Sequence, residues 1–402
     1  MPIIFFTAKS KRNIIYFFSL SLLVAFLVIL MVFPQEILPA ALNGLETWLT
    51  VVFPALFPFF VLSELLMDFG AVHFLSALLE PMMRPLFRLP GSSAMVLAVG
   101  YTSGAPIGGV LTARLRKQSL LTRNEAERLI SFTNNASPLF MLSAVSVGFL
   151  EKPALGWILA ASHYSANLLL GFLFRYFGPD AGKRPAPPKS IIQQAVYSLH
   201  QVRREAPGSP GKILGDAIKN SMQIILVIGG FILFFSVTIQ ALTILGLINI
   251  LAKLFGLILL PLGFDQGLLL PLASGFIEMT IGAKMIAESG APLAQQLACI
   301  SMVMGWAGIS IHGQVAAMIA ETDIKMGLYI LARFLQGILA ALFSCFLFHS
   351  FPPILEAGFQ PQAPSASTIL ILSLKSMLGI LLALFILGFL CFVCRQLFTK
   401  TQ

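Results

Sequence analysis

The chain has 402 residues, of which 57% are hydrophobic and only 11% are charged, and its formal net charge is +9. Soluble domains carry about 25% charged residues, so this composition excludes a soluble protein and indicates a polytopic protein of the lipid bilayer. The positive charge does not indicate a nucleic-acid partner, because the basic residues lie between apolar segments, as the positive-inside rule predicts.

Eight apolar segments have the length of about 20 residues that a helix needs to cross a bilayer. They are Ile14–Phe33, Glu46–Phe69, Leu129–Leu150, Ala154–Phe177, Asn220–Leu247, Leu293–Ala320, Met326–His349 and Thr368–Cys394. The first is too long and uninterrupted for a signal-peptide core, so we interpret it as a retained signal anchor. Two Gly-rich segments remain, Leu89–Ala113 and Gly267–Ser289. We expect both to be re-entrant hairpins.

The distribution of the 26 Lys and Arg residues supports re-entrance. If the N-terminus is cytoplasmic and both hairpins return to the side they entered, most basic residues lie on the cytoplasmic side, together with the C-terminus. A full crossing by either hairpin would remove this asymmetry. With both hairpins re-entrant, the two halves contain the same helices in opposite orientation. The sequence therefore predicts an all-α polytopic membrane protein with inverted-topology repeats, re-entrant hairpins and discontinuous helices, an architecture of alternating-access transporters.

This topology divides the chain into five parts. They are an N-terminal cytoplasmic end with the signal-anchor helix (1–45), a first repeat (46–178), a basic, Pro-rich cytoplasmic linker (179–219), a second, inverted repeat (220–349), and a C-terminal transmembrane helix with a cytoplasmic tail (350–402).

Polar interruptions of the apolar sequence mark candidate site residues in the first half, because irregular backbone at membrane depth is tolerated only inside protein or beside a wet cavity. The first hairpin contributes Thr102, Ser103 and Gly104, and the span after it contributes Asn134, Asn135 and Ser137. A half-helix that restarts after the hairpin tip directs free amide groups into the cavity, which suits an anion. Alternatively, these residues serve only close helix packing and interhelical hydrogen bonds.

The second half has polar interruptions at corresponding places. They contribute Glu278 and Thr280 in the second hairpin, and Ser310, His312 and Gln314 in the following span. An ionisable group within the membrane is a functional candidate by default. Glu278 therefore either carries a coupling proton or cation or forms a structural ion pair with Lys284.

No catalytic motif of a soluble enzyme occurs in the chain, so we expect no enzymatic activity, no cofactor and no metal site. The four cysteines lie in apolar segments and are interpreted as packing residues. A basic cluster follows the first hairpin and serves as an orientation signal, with attraction of anions to a cytoplasmic opening as the alternative.

Three stretches of the first half resemble the YlbJ-type sporulation integral membrane proteins. They are Gly100-Tyr-Thr-Ser-Gly-Ala-Pro-Ile-Gly-Gly109, Leu121-Thr-Arg-Asn-Glu-Ala-Glu-Arg-Leu129 and Ser131-Phe-Thr-Asn-Asn-Ala-Ser-Pro-Leu-Phe140. These proteins are similar to a wider group with the nucleoside recognition, or Gate, domain, which includes concentrative nucleoside transporters and ferrous-iron permeases. The resemblance covers about Glu46 to His349 in two Gate-like copies, and the second copy departs from the pattern at Glu278 and Met279.

The resemblance implies an endospore-forming bacterium and a place in the mother-cell or outer forespore membrane. It also implies a link to spore cortex formation and to accumulation of dipicolinic acid, a small aromatic dicarboxylate. Together with the polar interruptions, it predicts a transporter of a small polar organic solute, such as a dipicolinate-like anion. The alternatives are a nucleoside or cation transporter, and a membrane scaffold for spore envelope assembly that transports nothing.

Overall fold

The computed structural model describes residues 8–69, 79, 82–178 and 209–350, and the regular elements within these ranges are all helical. The α-helices are α1 (Ala8–Val32), α2 (Pro34–Thr47), α3 (Phe53–Asp68), α4 (Ser93–Ser103), α5 (Ile107–Lys117), α6 (Arg123–Thr133), α7 (Gly156–Phe174), α8 (Pro210–Ile244), α9 (Leu247–Leu259), α10 (Leu269–Ile277), α11 (Met279–Ala287), α12 (Leu293–Trp306), α13 (Gly308–Ile319) and α14 (Met326–Ser350). Two π-helical segments, Trp48–Val52 and Phe140–Phe149, and two 3-10 turns, Pro153–Leu155 and Gln266–Leu268, complete the set.

The order of the helices repeats. In the first half, α2, the π-helical segment Trp48–Val52 and α3 follow one another without a break and form one long helix, the α2–α3 rod. It is followed by a hairpin of two short helices (α4 and α5), by a helix that is interrupted after α6 and continues at Phe140, and by the closing helix α7. In the second half, the long helix α8 and the additional helix α9 precede a hairpin (α10 and α11), an interrupted helix (α12 and α13) and the closing helix α14. The predicted repeat is therefore present in the described residues.

The first hairpin is re-entrant, because side-chain hydrogen bonds place its entrance and exit on one face of the protein. Arg128 donates to the carbonyl oxygen of Arg88, just before the hairpin, at 3.0 Å and to that of Arg175, at the end of α7, at 3.1 Å. Arg116, in the last turn of α5, donates to the carbonyl oxygen of Leu121 at 3.0 Å. The two arms of the hairpin therefore begin and end on the face where α6 begins.

The second hairpin is re-entrant as well. The side chain of Gln295, at the start of α12, accepts from the backbone N–H of Asp265 at 2.8 Å and donates to the carbonyl oxygen of Gly263 at 2.9 Å. Gln296 donates to the carbonyl oxygen of Ala287 at 3.3 Å. The residues before α10, the end of α11 and the start of α12 thus lie together.

The two halves run in opposite directions. Arg116 forms an ion pair of 2.8 Å with Asp323, and this contact lowers the pKa of the carboxyl group. Because Asp323 follows α13, the second interrupted helix ends on the face where the first one begins. Trp48 donates to the carbonyl oxygen of Ile225 at 3.0 Å, and Ser236 donates to that of Ala40 at 2.6 Å, so α8 lies antiparallel to the α2–α3 rod. These contacts confirm the inverted topology.

Five helices of the described residues are long and apolar enough to cross a membrane. They are Pro34–Leu62, Pro153–Phe174, Gly211–Ile244, Leu293–Ile319 and Met326–Ser350. The predicted span Ile14–Phe33 lies within α1 except for its last residue, Phe33. The predicted span Leu129–Leu150, in contrast, is broken after Thr133. The predicted span Thr368–Cys394 and most of the linker lie outside the described residues.

One predicted boundary is wrong, and one helix was not predicted. The helix predicted to begin at Glu46 begins at Pro34. Proline fits the first position of a helix, because the N–H that it lacks would have no hydrogen-bond partner within the helix there. Helix α9 was not predicted at all. Its 13 residues are too short to cross a bilayer, and a buried stripe of Ile248, Ala252 and Gly256 packs it against the protein.

Candidate functional site

The four polar interruptions meet at one cavity of about 60 Å³. Its polar lining consists of Ser103, Gly104, Asn135, Ser137, Glu278, Thr280, Ser310 and Gln314. Opposite them is an apolar wall of Val52, Leu56 and Phe60 from the α2–α3 rod and Ile228, Phe231 and Ile232 from α8. The structure therefore places polar groups from both repeats around one small cavity, and the rest of its lining consists mostly of apolar side chains.

The tip of the first hairpin is fixed to the break that follows α6. Gly104 ends α4 with a φ of 83°, a left-handed conformation that a side chain disfavours. A Cβ atom at this position would also lie 2.9 Å from the Cβ of Ser137. The next residue, Ala105, donates its N–H to the carbonyl oxygen of Asn135 at 2.6 Å. Thr102 stays outside the lining, because its hydroxyl donates to the carbonyl oxygen of Ala98 in its own helix.

The break after α6 separates the two adjacent asparagines. Pro138 has no N–H, so the carbonyl oxygen of Asn134 loses its helical donor and instead accepts from Arg333 at 2.9 Å. The Asn134 side chain donates to the hydroxyl of Tyr329 at 2.9 Å and does not line the cavity. Asn135 lines the cavity, so the second of the two neighbouring amides is the one available to a solute.

Glu278 forms the junction between α10 and α11. It is 3% exposed, and its carboxylate accepts the N–H of Ile281 at 2.8 Å, which caps α11. Lys284 donates to Asn43 at 2.7 Å and to Thr47 at 3.0 Å. The structural ion pair between Glu278 and Lys284 is therefore absent, and Glu278 has no basic partner among the described residues.

The break between α12 and α13 places two polar side chains on the cavity. Ala307 has a φ of 72° and interrupts the helix there. Ser310 and Gln314 follow one turn apart on α13, so both project from the same face into the cavity.

His312 lies on a different face of α13 and does not line the cavity. Its Nδ1 atom contacts the carbonyl oxygen of Gly308 at 2.7 Å, and its ring centroid is 4.3 Å from that of Trp306 and 5.2 Å from that of Tyr329. Three of the eleven sequence-predicted site residues, Thr102, Asn134 and His312, thus pack beside the cavity. The other eight line it.

The sequence did not identify the polar layer behind Asn135. Arg333 is completely buried and donates to the backbone oxygen of Ser131 at 2.6 Å and to the side chain of Asn167 at 2.9 Å. Gln336, one turn later on α14, contacts the ring of His163 at 3.2 Å. The available signal was a basic residue in the middle of an apolar span, which is rare in membrane helices and usually functional.

Comparisons with known proteins show to which family the chain belongs. The sequence profile of the Gate family, described as nucleoside recognition, matches residues 49–153. The sporulation integral membrane protein YlbJ of Bacillus subtilis is 42% identical over 336 residues, which are 82% of this chain and 81% of that protein. An uncharacterized protein of Alkalihalophilus pseudofirmus is 31% identical over 118 residues, or 28% of this chain and 26% of that one. A solved structure of CNTnw in an inward-facing substrate-bound state superposes with a TM-score of 0.48 and 14% identity, covering 85% of this chain and 88% of that one.

Proposed function

Because the chain belongs to the family of the sporulation integral membrane protein YlbJ, we propose that it transports a small polar organic solute across a membrane of the sporulating cell. The observation that carries this proposal is the convergence of the hairpin tips and helix breaks from both repeats on one cavity. Interrupted helices that meet at one site in inverted repeats are characteristic of transporters.

The two walls of the cavity suggest how the solute would move. A volume of about 60 Å³ holds only a few water molecules, so a solute enters only when the walls separate. The apolar wall comes from the long α2–α3 rod and α8, whereas the polar wall comes from the hairpins and interrupted helices. The side chains of the apolar wall make contacts that have no fixed hydrogen-bond partners. The apolar wall can therefore slide or separate from the polar wall at a lower free-energy cost than the hydrogen-bonded elements of the polar wall can separate from one another.

We propose a small organic anion as the solute, with a dipicolinate-like dicarboxylate as the best candidate in a spore-forming cell. The hydroxyls of Ser103, Ser137 and Ser310 and the amides of Asn135 and Gln314 supply donors for carboxylate oxygens. An anion and an ionised Glu278 would repel each other, so the solute and a proton would enter together. The alternative solute is a nucleoside or a cation. The carboxylate of Glu278 favours either one, because it accepts hydrogen bonds and attracts positive charge.

Access of water to the cavity distinguishes a transporter from a scaffold. After replacement of the four native cysteines, Ser103→Cys and Ser310→Cys are expected to react with a small charged thiol reagent, since both positions line the cavity. The matched control is Ser131→Cys, which is completely buried and bonded within its own helix. It should remain unlabelled.

The labelling rates in membranes of cells that express each variant give the answer. A solute that occupies the cavity is expected to slow labelling at both positions. If the two cavity cysteines are as inert as the control, the polar interruptions serve only packing, and the scaffold function replaces the transporter.

A further inference from the structure

We propose that Arg333 is the residue that makes the cavity prefer an anion, and that it also holds Asn135 in place for the solute. This inference rests on the proposed function and adds to it a specificity-determining residue that does not itself line the cavity. It comes from the position of a guanidinium group directly behind the break after α6.

The guanidinium is completely buried and is held by oxygen atoms of neutral groups. One terminal nitrogen donates to the carbonyl oxygen of Asn134 at 2.9 Å and lies 3.5 Å from the side-chain oxygen of Asn135. The other donates to the carbonyl oxygen of Ser131 at 2.6 Å and to the side-chain oxygen of Asn167 at 2.9 Å. The ring of Tyr329 lies 5.7 Å away, in a cation–π contact.

None of these partners carries a negative charge. No described carboxylate forms an ion pair with Arg333, although removing a guanidinium from water is costly without one. Dipoles of carbonyl and amide groups stabilise the cation without neutralising it. A net positive charge therefore remains in a region of low dielectric constant, where charges act more strongly than in water.

This charge acts on the cavity through the segment that lines it. Residues 134 and 135 bind Arg333 on one side, while Asn135, Ala136 and Ser137 form part of the cavity lining on the other. In a trans peptide the N–H points away from the carbonyl oxygen, so the N–H of Asn135 points away from the guanidinium. The positive charge, separated from the cavity by this one segment, lowers the energy of a negative group in the cavity.

A purely structural function for Arg333 makes a different prediction. As a cap for carbonyl oxygens that the helix break leaves without donors, Arg333 would affect stability and protein abundance but not the choice between charged and neutral solutes. The ratio of two affinities measured on the same folded sample therefore separates the two functions.

The experiment measures binding of pyridine-2,6-dicarboxylate and of its neutral isostere, pyridine-2,6-dicarboxamide, to the purified full-length protein in lipid nanodiscs. The wild type is expected to prefer the dicarboxylate. Arg333→Gln should reduce this preference by about tenfold or more, the effect of one nearby charge at an effective dielectric constant of about 20. Arg333→Lys keeps the charge and should keep the preference. Lys253→Gln, on the exposed side of α9, removes a charge far from the cavity and is the matched control.

A second variant leaves Arg333 in place. Asn167→Asp puts a carboxylate against the guanidinium at a position outside the cavity lining, so it should weaken the preference even if Arg333→Gln does not accumulate. An unchanged preference in either variant would overturn the assignment of Arg333 while leaving transport intact. A wild-type protein that binds neither probe would overturn the anion proposal together with it.

Discussion

Replacing Asn135 with leucine is expected to reduce solute uptake to background while the protein still inserts into the membrane. Asn135 lines the cavity, and its amide uses one N–H for the carbonyl oxygen of Phe132 at 3.1 Å. Its side-chain oxygen lies 3.5 Å from nitrogen atoms of both Arg333 and Gln336, so the amide is held in one orientation at the cavity, where leucine offers no polar group to a solute. Leaving a polar group of the solute without a partner costs about 1–3 kcal/mol, or roughly a ten- to hundredfold loss of affinity.

The neighbouring amide gives an internal comparison. Asn134→Leu removes a hydrogen bond to Tyr329 outside the cavity, so it should lower protein stability and keep more uptake than Asn135→Leu does. Asn249→Leu, on the exposed side of α9, controls for the change in side-chain type. Uptake and membrane abundance are measured for all three. Full uptake by Asn135→Leu would place the solute elsewhere.

Replacing Glu278 with glutamine is expected to remove the pH dependence of uptake. Glutamine keeps the shape and the acceptor that caps α11 through Ile281, but it cannot release a proton. Since Lys284 is bonded to Asn43 and Thr47, the substitution leaves no buried cation without a partner, and abundance should stay close to normal.

Glu288→Gln is the matched control, because Glu288 lies at the end of the same helix with 61% of its side chain exposed. Initial uptake rates between pH 5 and 8 are compared among the wild type and the two variants. A pH profile that Glu278→Gln leaves unchanged would show that Glu278 carries no coupling proton.

The sequence predicted the hairpins and helix breaks because their signals are local. Gly104, Pro138 and Gly308 each change what the backbone can do at their own position, whatever packs around them. The distribution of the basic residues then predicted that the two halves have opposite orientations, and the contacts of Arg116 and Arg128 agree with this topology. The helix that precedes the first hairpin begins at Pro34, earlier than the predicted Glu46, because proline is compatible with the first position of a helix.

The sequence could not assign individual side chains to the cavity. Asn134 and Asn135 have the same chemistry, and only the backbone path after Thr133 decides which one lines the cavity. His312 and Gln314 are two residues apart on a helix and therefore project in different directions, so the cavity receives only the second. The hydrogen-bond partners of Arg333 lie 166 to 202 positions away in sequence, so no local sequence pattern identifies them.

Uptake of labelled dipicolinate into liposomes that contain the purified protein is the most direct measurement of transport. An inwardly directed proton gradient is imposed, and protein-free liposomes measure leakage. Saturable uptake above leakage, faster with the gradient and lost with Asn135→Leu, is the expected result. Uptake no greater than in protein-free liposomes, for this anion and for nucleosides or cations offered in the same way, would contradict a transport function.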